Sequence, residues 1–148
     1  MRLLIQLVKE AEVRVDDSIV GKIGKGLLVF VGIHKEDTLD DCLWLKEKLI
    51  NLRIFVDAND KMNLSIQEVH GELLIVSQFT LYADCVKGRR PSFEKAAPPA
   101  QAKQLYERFI EDLRENIKTV QTGQFGAYMQ VSLINDGPLT FLIDSKER

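Results

Sequence analysis

Residues 2–32 read RLLIQLVKEAEVRVDDSIVGKIGKGLLVFVG, and the rest of the fold is built on this stretch. It contains four short runs rich in apolar and β-branched residues, which are typical of strands. Turn-forming residues separate the runs at Asp16-Asp17-Ser18 and at Gly24-Lys25-Gly26. The runs are Leu3 to Val8, Val13 to Val15, Ile19 to Ile23 and Leu27 to Gly32. The pattern predicts a β-meander at the start of the chain.

Two amphipathic helices are predicted after the meander. Thr38 followed by Asp41 forms a capping box, and apolar residues then recur every three or four positions. The first helix is therefore expected from about Leu39 to Leu52. After Pro98-Pro99 a second apolar stripe repeats at helical spacing and predicts the second helix. Its members are Ala102, Leu105, Tyr106, Phe109, Ile110 and Leu113.

The remaining apolar segments predict further strands. Asn135-Asp136-Gly137-Pro138 is expected to turn the chain between the last two. The segment from Ala83 to Pro99 is polar, basic and irregular, and Pro91 begins a predicted single helical turn through Ala97. Because strands dominate, an α+β architecture is predicted. The further strands are Ile54 to Val56, Met62 to Leu64, Glu72 to Ser77, Met129 to Leu133 and Leu139 to Ile143.

The composition fits one compact domain spanning residues 1–148. Of the 148 residues, 45% are hydrophobic, enough for one core and too few for two independent ones. The net charge of -2 argues against a protein that coats a nucleic acid, but leaves room for a small contact with one RNA end. No apolar run approaches the roughly 18 residues of a membrane span. Because Cys42 and Cys85 show no disulfide or CxxC spacing, a reducing cytoplasm is expected.

The common catalytic and cofactor motifs are missing from the sequence. His34 and His70 are the only histidines, and neither belongs to a zinc-binding pattern, so no metal and no cofactor is expected. Ser77 lacks the GxSxG context of a serine nucleophile. The glycine-rich segment Gly21 to Gly26 lacks the phosphate-loop pattern, and a tight hairpin turn explains its glycines.

Two other segments invite a functional interpretation. Ser77-Gln78-Phe79-Thr80 places hydroxyl and amide groups beside an aromatic residue where a buried strand ends. It is either a strand emerging into solvent or one wall of a binding site. In Asn135-Asp136-Gly137-Pro138-Leu139-Thr140, glycine allows unusual backbone angles, and the bond before proline can be cis. A plain β-turn is the alternative explanation of this segment.

These two segments match the SQxT and NxGPxT motifs of the D-aminoacyl-tRNA deacylases, a family that the sequence resembles along essentially its whole length. The resemblance implies mixed, mainly antiparallel sheets in a sandwich or barrel-like arrangement with two main helices. It also implies hydrolysis of the ester between a D-amino acid and its tRNA. Whether glycine mischarged on tRNA(Ala) is also cleared stays open at the level of sequence. Flanking segments that resemble the family are Arg53-Ile54-Phe55, Lys61-Met62-Asn63-Leu64, Arg90-Pro91-Ser92-Phe93, Gln121-Thr122-Gly123 and Met129-Gln130-Val131-Ser132-Leu133.

The resemblance also assigns a role to the second motif. In that family its glycine and proline form a cis peptide that reaches across a two-fold dimer into the partner's site. Carried over, this makes Gly137 and Pro138, together with Met129, the substrate-binding and L-rejecting residues of a homodimer. The carbonyl oxygens of the Gly-Pro pair would accept hydrogen bonds from the substrate's α-amino group and leave no room for an L side chain. A D side chain would point outward.

The first motif supplies the catalytic residues by the same resemblance. The backbone N–H of Phe79 would face the ester carbonyl as an oxyanion donor. Ser77 and Gln78 would hold the shape of the segment. Thr80 would present its hydroxyl nearby, but the sequence shows no general base to activate it. The ribose 2′-hydroxyl at the tRNA 3′ acceptor end is the alternative source of assistance.

Three points stay open at the level of sequence. Lys87, Arg89 and Arg90, together with Lys95, form the only local basic cluster, which either docks tRNA phosphates or is a solvated loop. Relatives commonly carry an arginine, thought to brace the Gly-Pro loop, where this chain has Leu7. Either another cation replaces that arginine or packing holds the loop. A non-catalytic binder of tRNA acceptor ends is the alternative function.

Overall fold

Strands dominate the computed structural model, which describes residues 1–148. The chain forms eight strands and two α-helices, with two short 3-10 turns at Phe79–Tyr82 and Ser145–Glu147. The strands are β1 (Arg2–Val15), β2 (Ser18–Ile23), β3 (Gly26–Gly32), β4 (Phe55–Val56), β5 (Met62–Leu64), β6 (Glu72–Ser77), β7 (Val120–Thr122) and β8 (Gln130–Asp144). The helices are α1 (Leu39–Asn51) and α2 (Pro99–Arg114).

The first three strands form one long hairpin, and the predicted meander is wrong in this respect. The first half of β1 pairs with β3 and its second half with β2, both antiparallel. Val8 faces Gly26 and Ala11 faces Ile23, so the register continues unbroken from one partner to the other. The hairpin turn expected at Gly21–Gly26 is therefore absent, and the chain reverses only at Asp16-Asp17, where both residues have positive φ.

Close packing, not a turn, explains the glycine at position 26. A Cβ atom added to Gly26 would overlap the backbone of Glu72 in the neighbouring strand β6. β3 pairs in parallel with β6, and β6 pairs in parallel with β7. The sheet then curves until β2 approaches β7, where a Cβ on Gly21 would overlap the carbonyl of Thr122. This nearly closed, barrel-like mixed sheet confirms the expected fold class.

The two helices supply the parallel crossovers and cover one face of the sheet. α1 begins at the expected capping box, where the Asp41 carboxylate accepts a hydrogen bond from the Thr38 amide at 2.9 Å. α2 begins with Pro99 at its first position, as the sequence predicts. The main core lies between helices and sheet and includes the fully buried Phe55 and Phe109. Neither helix combines the length and the apolar character that crossing a bilayer requires.

The second motif does not reverse the chain, so the turn predicted at Asn135–Pro138 is wrong. Both halves of β8 pair antiparallel with β1, and Asn135 lies opposite Val8 while Thr140 lies opposite Gln6. Four residues of β8, from Asp136 to Leu139, thus face the single residue Leu7. The segment bulges out of a continuous strand, because a glycine-proline composition suits a bulge as well as a turn.

The irregular segment before α2 forms a small hairpin. Asp84 and Ser92 exchange backbone hydrogen bonds of 2.8 and 2.9 Å, which close a loop that we call the basic hairpin, residues 84–92. The helical turn predicted from Pro91 to Ala97 is wrong, since only an isolated turn forms there. The amide of Ala97 donates instead to the carbonyl of Ile33, which fastens this segment beside β3.

Candidate functional site

A cleft of about 580 Å³ opens where β3 and β6 end. Its volume is in the range of small-molecule sites. Hydrophobic side chains form most of its surface, and the first motif contributes its polar groups. The lining comes from Val31 and Ile33, from Ser77 to Phe79, from Phe93, Ala96 and Ala97, from Pro99 and Ala102 at the start of α2, and from Phe125 to Met129.

The first motif bends sharply at the mouth of this cleft. The Gln78 amide donates to the carbonyl of Val31 at 2.8 Å, which is the last contact of β6 with β3. The chain then enters the 3-10 turn Phe79–Tyr82, which packs against Gly32. A Cβ on Gly32 would lie 2.9 Å from the Cβ of Leu81, so the small residue at the end of β3 allows the turn to sit there.

The bend leaves backbone donors free beside the cleft. No carbonyl accepts from the amides of Phe79 or Thr80, which stand at the first positions of the 3-10 turn. The Gln78 side chain donates to the Thr80 hydroxyl. Thr80 itself is solvent-exposed and does not belong to the cleft lining. The structure thus places Ser77, Gln78 and Phe79 in the cleft and Thr80 at its rim.

Phe93, Phe125 and Tyr128, to which the sequence analysis gave no role in a site, complete the walls of the cleft. Phe79 meets Phe93 edge to face, with ring centroids 4.9 Å apart. Phe125 packs against Tyr106 at 5.6 Å, and burial raises the pKa of the Tyr106 phenol, whose hydroxyl donates to the carbonyl of Ile75. Tyr128 is 90% exposed at the mouth. Nothing in the sequence analysis predicted these positions, because they depend on how distant segments fold back.

Met129 also lines the cleft. Its sulfur would come within 2.6 Å of a Cβ at Gly123, so the glycine of the Gln121-Thr122-Gly123 segment makes room for it. The lining includes no Asp, Glu, His, Lys or Arg. His34 is instead turned toward Tyr82, with ring centroids 5.1 Å apart, and His70 is on the surface. What the cleft offers to a reaction is backbone N–H, amide and hydroxyl groups.

The second motif is separate from this cleft within one chain. Gly137 and Pro138 are exposed on the bulge of β8, and neither belongs to the cleft lining. Their peptide bond is cis, as expected. β8 pairs only with β1, so its other edge is free. Exposed apolar side chains, Ile134 and Leu142, lie on either side of the bulge.

The basic hairpin carries three unpaired cations. Lys87, Arg89 and Arg90 are exposed at its tip, and no carboxylate lies within 4.0 Å of them. Lys95 differs, because its ammonium lies 3.5 Å from the Asp84 carboxylate at the base. The chain leading out of the hairpin reaches Phe93 in the cleft wall. The hairpin therefore stands next to the cleft.

Arg2 fixes the 3-10 turn to the rest of the molecule, a role that sequence analysis did not anticipate. Its guanidinium donates to the Leu81 carbonyl at 2.9 Å and to the Asp144 carboxylate at 2.7 Å, and it covers the ring of Tyr82 at 4.6 Å. Burial alone would raise the pKa of the Asp144 carboxyl, but hydrogen bonds from Arg2 and from the Lys146 amide lower it below its ordinary value.

A largely apolar cleft with free backbone amides can bind a carbonyl group and stabilise the negative charge that develops on its oxygen during ester hydrolysis. A model of the D-Tyr-tRNA(Tyr) deacylase family matches residues 4–144. The D-aminoacyl-tRNA deacylases of Thermotoga petrophila and Thermosipho africanus are 56% and 58% identical to this chain, over 99% of each protein. The chain belongs to the D-Tyr-tRNA(Tyr) deacylase family.

Solved structures support the same fold. A structure described as c-Myc DNA Unwinding Element Binding Protein is 40% identical, with a TM-score of 0.91, and the match covers 97% of this chain and 98% of that one. A probable eukaryotic D-amino acid tRNA deacylase shares the fold at a TM-score of 0.83 and 20% identity, over 96% and 97% of the two chains. The expected family, enzyme class and fold are thus confirmed.

Proposed function

We propose that this chain hydrolyses the ester bond of D-aminoacyl-tRNA, with residues 1–148 acting as one catalytic domain in the cytoplasm. The proposal rests on two backbone amides, those of Phe79 and Thr80, which have no hydrogen-bond acceptor and lie beside a cleft of substrate size. An ester carbonyl at this position would receive two hydrogen bonds that strengthen as its oxygen becomes negative. Family membership supplies the substrate class.

In this proposal the reaction needs no ionisable residue from the cleft. A water oxygen bonds to the polarised carbonyl carbon, the ester C–O bond breaks, and the tRNA 3′-oxygen leaves with a proton. The 2′-hydroxyl of the same ribose is the neighbouring group that assists the proton transfer. The cleft lining has no Asp, Glu, His or Lys that could activate the Thr80 hydroxyl, so in this proposal Thr80 shapes the rim and water is the nucleophile.

A second copy of the chain completes the site. The exposed Gly137 and Pro138 lie outside the cleft of their own chain, on a strand whose outer edge is free. A two-fold dimer brings each bulge to the partner's cleft, and covers the exposed Ile134 and Leu142. The dimer therefore unites the two motifs that one chain keeps apart.

Selection between enantiomers follows from that union. The carbonyl oxygens of Gly137 and Pro138 accept hydrogen bonds from the α-amino group of the substrate, opposite Met129. An L side chain would then point into the bulge and clash, while a D side chain points away. Glycine has no side chain to clash, so glycine mischarged on tRNA(Ala) is also cleared.

The basic hairpin binds the acceptor end of the tRNA. Lys87, Arg89 and Arg90 have no carboxylate partner that would compete with a phosphate. Their place beside the cleft suits the phosphates next to the terminal adenosine. Three cations suffice for a local contact, in keeping with the net charge of -2 for the whole chain.

Hydrolysis of D-Tyr-tRNA and L-Tyr-tRNA by the purified protein, with EDTA to remove adventitious metal, tests this function. We expect cleavage of the D ester alone. Cleavage of neither ester above the rate in buffer would reject the enzyme and favour a non-catalytic binder of acceptor ends. Cleavage of both would keep the hydrolase but reject the selection by Gly137 and Pro138.

A further inference from the structure

The bulge of β8 is closed at its base by side chains of neutral residues. The Asn135 side chain accepts a hydrogen bond from the Leu139 amide at 3.0 Å and donates to the Thr140 hydroxyl at 3.1 Å. The Gln6 side chain of β1 donates to the same hydroxyl at 3.2 Å. One asparagine thus links the residue before the bulge to the two residues that follow Pro138.

Packing against the main core also holds the bulge in place. Leu139 packs against the main core, and Leu7, the residue of β1 that faces the bulge, is only 8% exposed within that core. The backbone of the bulge is therefore held by the packing of the buried Leu7 and the partly buried Leu139, and by the hydrogen bonds of Asn135.

Charge contributes little to holding the bulge. Lys9 is the only cation paired with it, and its ammonium lies 3.8 Å from the Asp136 carboxylate with both side chains well exposed. Pairs of this kind contribute little in water. The hydrogen bonds at the base, by contrast, join backbone and side chain across a segment that has no ladder partner of its own.

We propose that Asn135, supported by Gln6 and Thr140, is the positioning residue that sets the projection of Gly137 and Pro138, and through it the discrimination between D- and L-aminoacyl esters. The inference rests on the proposed function. Asn135 does not touch the substrate; it acts by holding the carbonyl oxygens of the bulge where the α-amino group meets them.

The test compares D-Tyr-tRNA and L-Tyr-tRNA hydrolysis across variants, together with amide hydrogen exchange at Leu139. For Asn135→Ala we expect the D/L rate ratio to fall at least tenfold and Leu139 exchange to accelerate at least tenfold. Asn135→Asp keeps an acceptor for the Leu139 amide, so its ratio should stay within about threefold of wild type. Gln6→Ala removes one of the two donors to Thr140, and its D/L rate ratio should lie between those of wild type and Asn135→Ala.

Ser132→Ala, on the same strand but outside the bulge, is the matched control and should change neither quantity. A folded Asn135→Ala protein with a D/L ratio within twofold of wild type would overturn the inference, even if Leu139 exchange accelerates. Unchanged Leu139 exchange would overturn it too. If wild type fails to cleave the D ester, the proposed function fails first, and the inference falls with it.

Discussion

Glycine is required at position 137 for two physical reasons. Its φ of +122° lies where L side chains are strained, and an added Cβ would come within 2.8 Å of the Leu139 side chain. We expect Gly137→Ala to lower the free energy of unfolding by about 1–3 kcal/mol. D-Tyr-tRNA hydrolysis should fall at least tenfold, because the carbonyl oxygens move. Urea unfolding and single-turnover hydrolysis measure the two effects.

Gly88 provides the matched control for stability. It also has a positive φ, +75°, but nothing lies within 4 Å of its added Cβ. Gly88→Ala should therefore lower the free energy of unfolding only through backbone strain, by about 1 kcal/mol. An equal loss of stability in both variants would show that the contact with Leu139 is unimportant.

The contributions of the Thr80 hydroxyl and of the ribose 2′-hydroxyl can be tested separately. Its hydroxyl accepts from Gln78 and is exposed at the rim, with no general base beside it. Thr80→Ala should retain substantial activity, within about tenfold of wild type. A residue that takes part in proton transfer typically contributes more than that, so a larger loss is not expected. A substrate without the terminal 2′-hydroxyl should be cleaved barely above background. The opposite pattern would make Thr80 the nucleophile.

Among single residues, those of the first motif in the cleft were predicted better from the sequence than the residues around them. Ser77, Gln78 and Phe79 follow a buried strand, so their arrival at its exposed end could be foreseen. Phe93 and Tyr128 could not, because their positions depend on how distant segments fold back. Arg2 was missed for the same reason, since its partners lie about 80 and 140 residues away along the chain.

Among the elements, the basic hairpin makes the clearest prediction. Replacing Arg89 by alanine removes one unpaired cation next to the cleft. Binding of tRNA should weaken, and the slope of log Kd against log salt should decrease by about one. Fluorescence anisotropy at several salt concentrations gives the slope.

Lys61→Ala is the control for the loss of one positive charge. Lys61 is exposed between β4 and β5. It matches Arg89 in charge and in having no carboxylate partner. Its removal should leave the slope unchanged. An Arg89→Ala protein with the slope of wild type would exclude the hairpin from the RNA contact.

Arg2 joins three elements, so its removal should affect stability in a pH-dependent way. Because the folded-state pKa of Asp144 is lowered, the pair stabilises the fold above the ordinary value of 3.8 and loses this effect as pH falls through the lowered pKa. Arg2→Met should cost about 1–2 kcal/mol at pH 7, and less below pH 3.8. Urea unfolding at pH 7 and pH 3 measures both.

The exposed Arg14–Glu12 pair is the comparison for Arg2. The Arg14 guanidinium lies 2.8 Å from the Glu12 carboxylate, and because solvent screens this pair, Arg14→Met should destabilise the fold less than Arg2→Met. A cost for Arg2→Met that does not change between pH 7 and pH 3 would mean that the Asp144 carboxylate plays no part.

Elements were predicted well where periodicity alone defines them. α1 and α2 begin where the capping box and the proline indicate. The errors fall where one local composition suits two structures. Asn135 to Pro138 suits a turn or a bulge, and only pairing of both halves of β8 with the same strand decides between them. The same holds for Gly24-Lys25, which interrupts a strand without reversing it.

At the scale of the whole molecule, the two motifs are brought to separate places by the fold of one chain. The cleft opens at the ends of β3 and β6, while the Gly-Pro bulge projects from the free-edged strand β8. No property of a single sequence states how two copies meet, so the dimer was expected only through the family resemblance. In the proposed dimer, one complete site is therefore made from two chains.

Subunit complementation tests whether the cleft of one chain and the bulge of the other form one site. Gln78→Trp fills the cleft with a larger side chain, Gly137→Ala disturbs the bulge, and each homodimer should be inactive or nearly so. Co-expression with two different tags allows the mixed dimer to be isolated. One of its two sites combines an intact cleft with an intact bulge from the other chain, so we predict about half of the wild-type D-Tyr-tRNA hydrolysis per dimer. A folded mixed dimer no more active than the two homodimers would contradict the shared site.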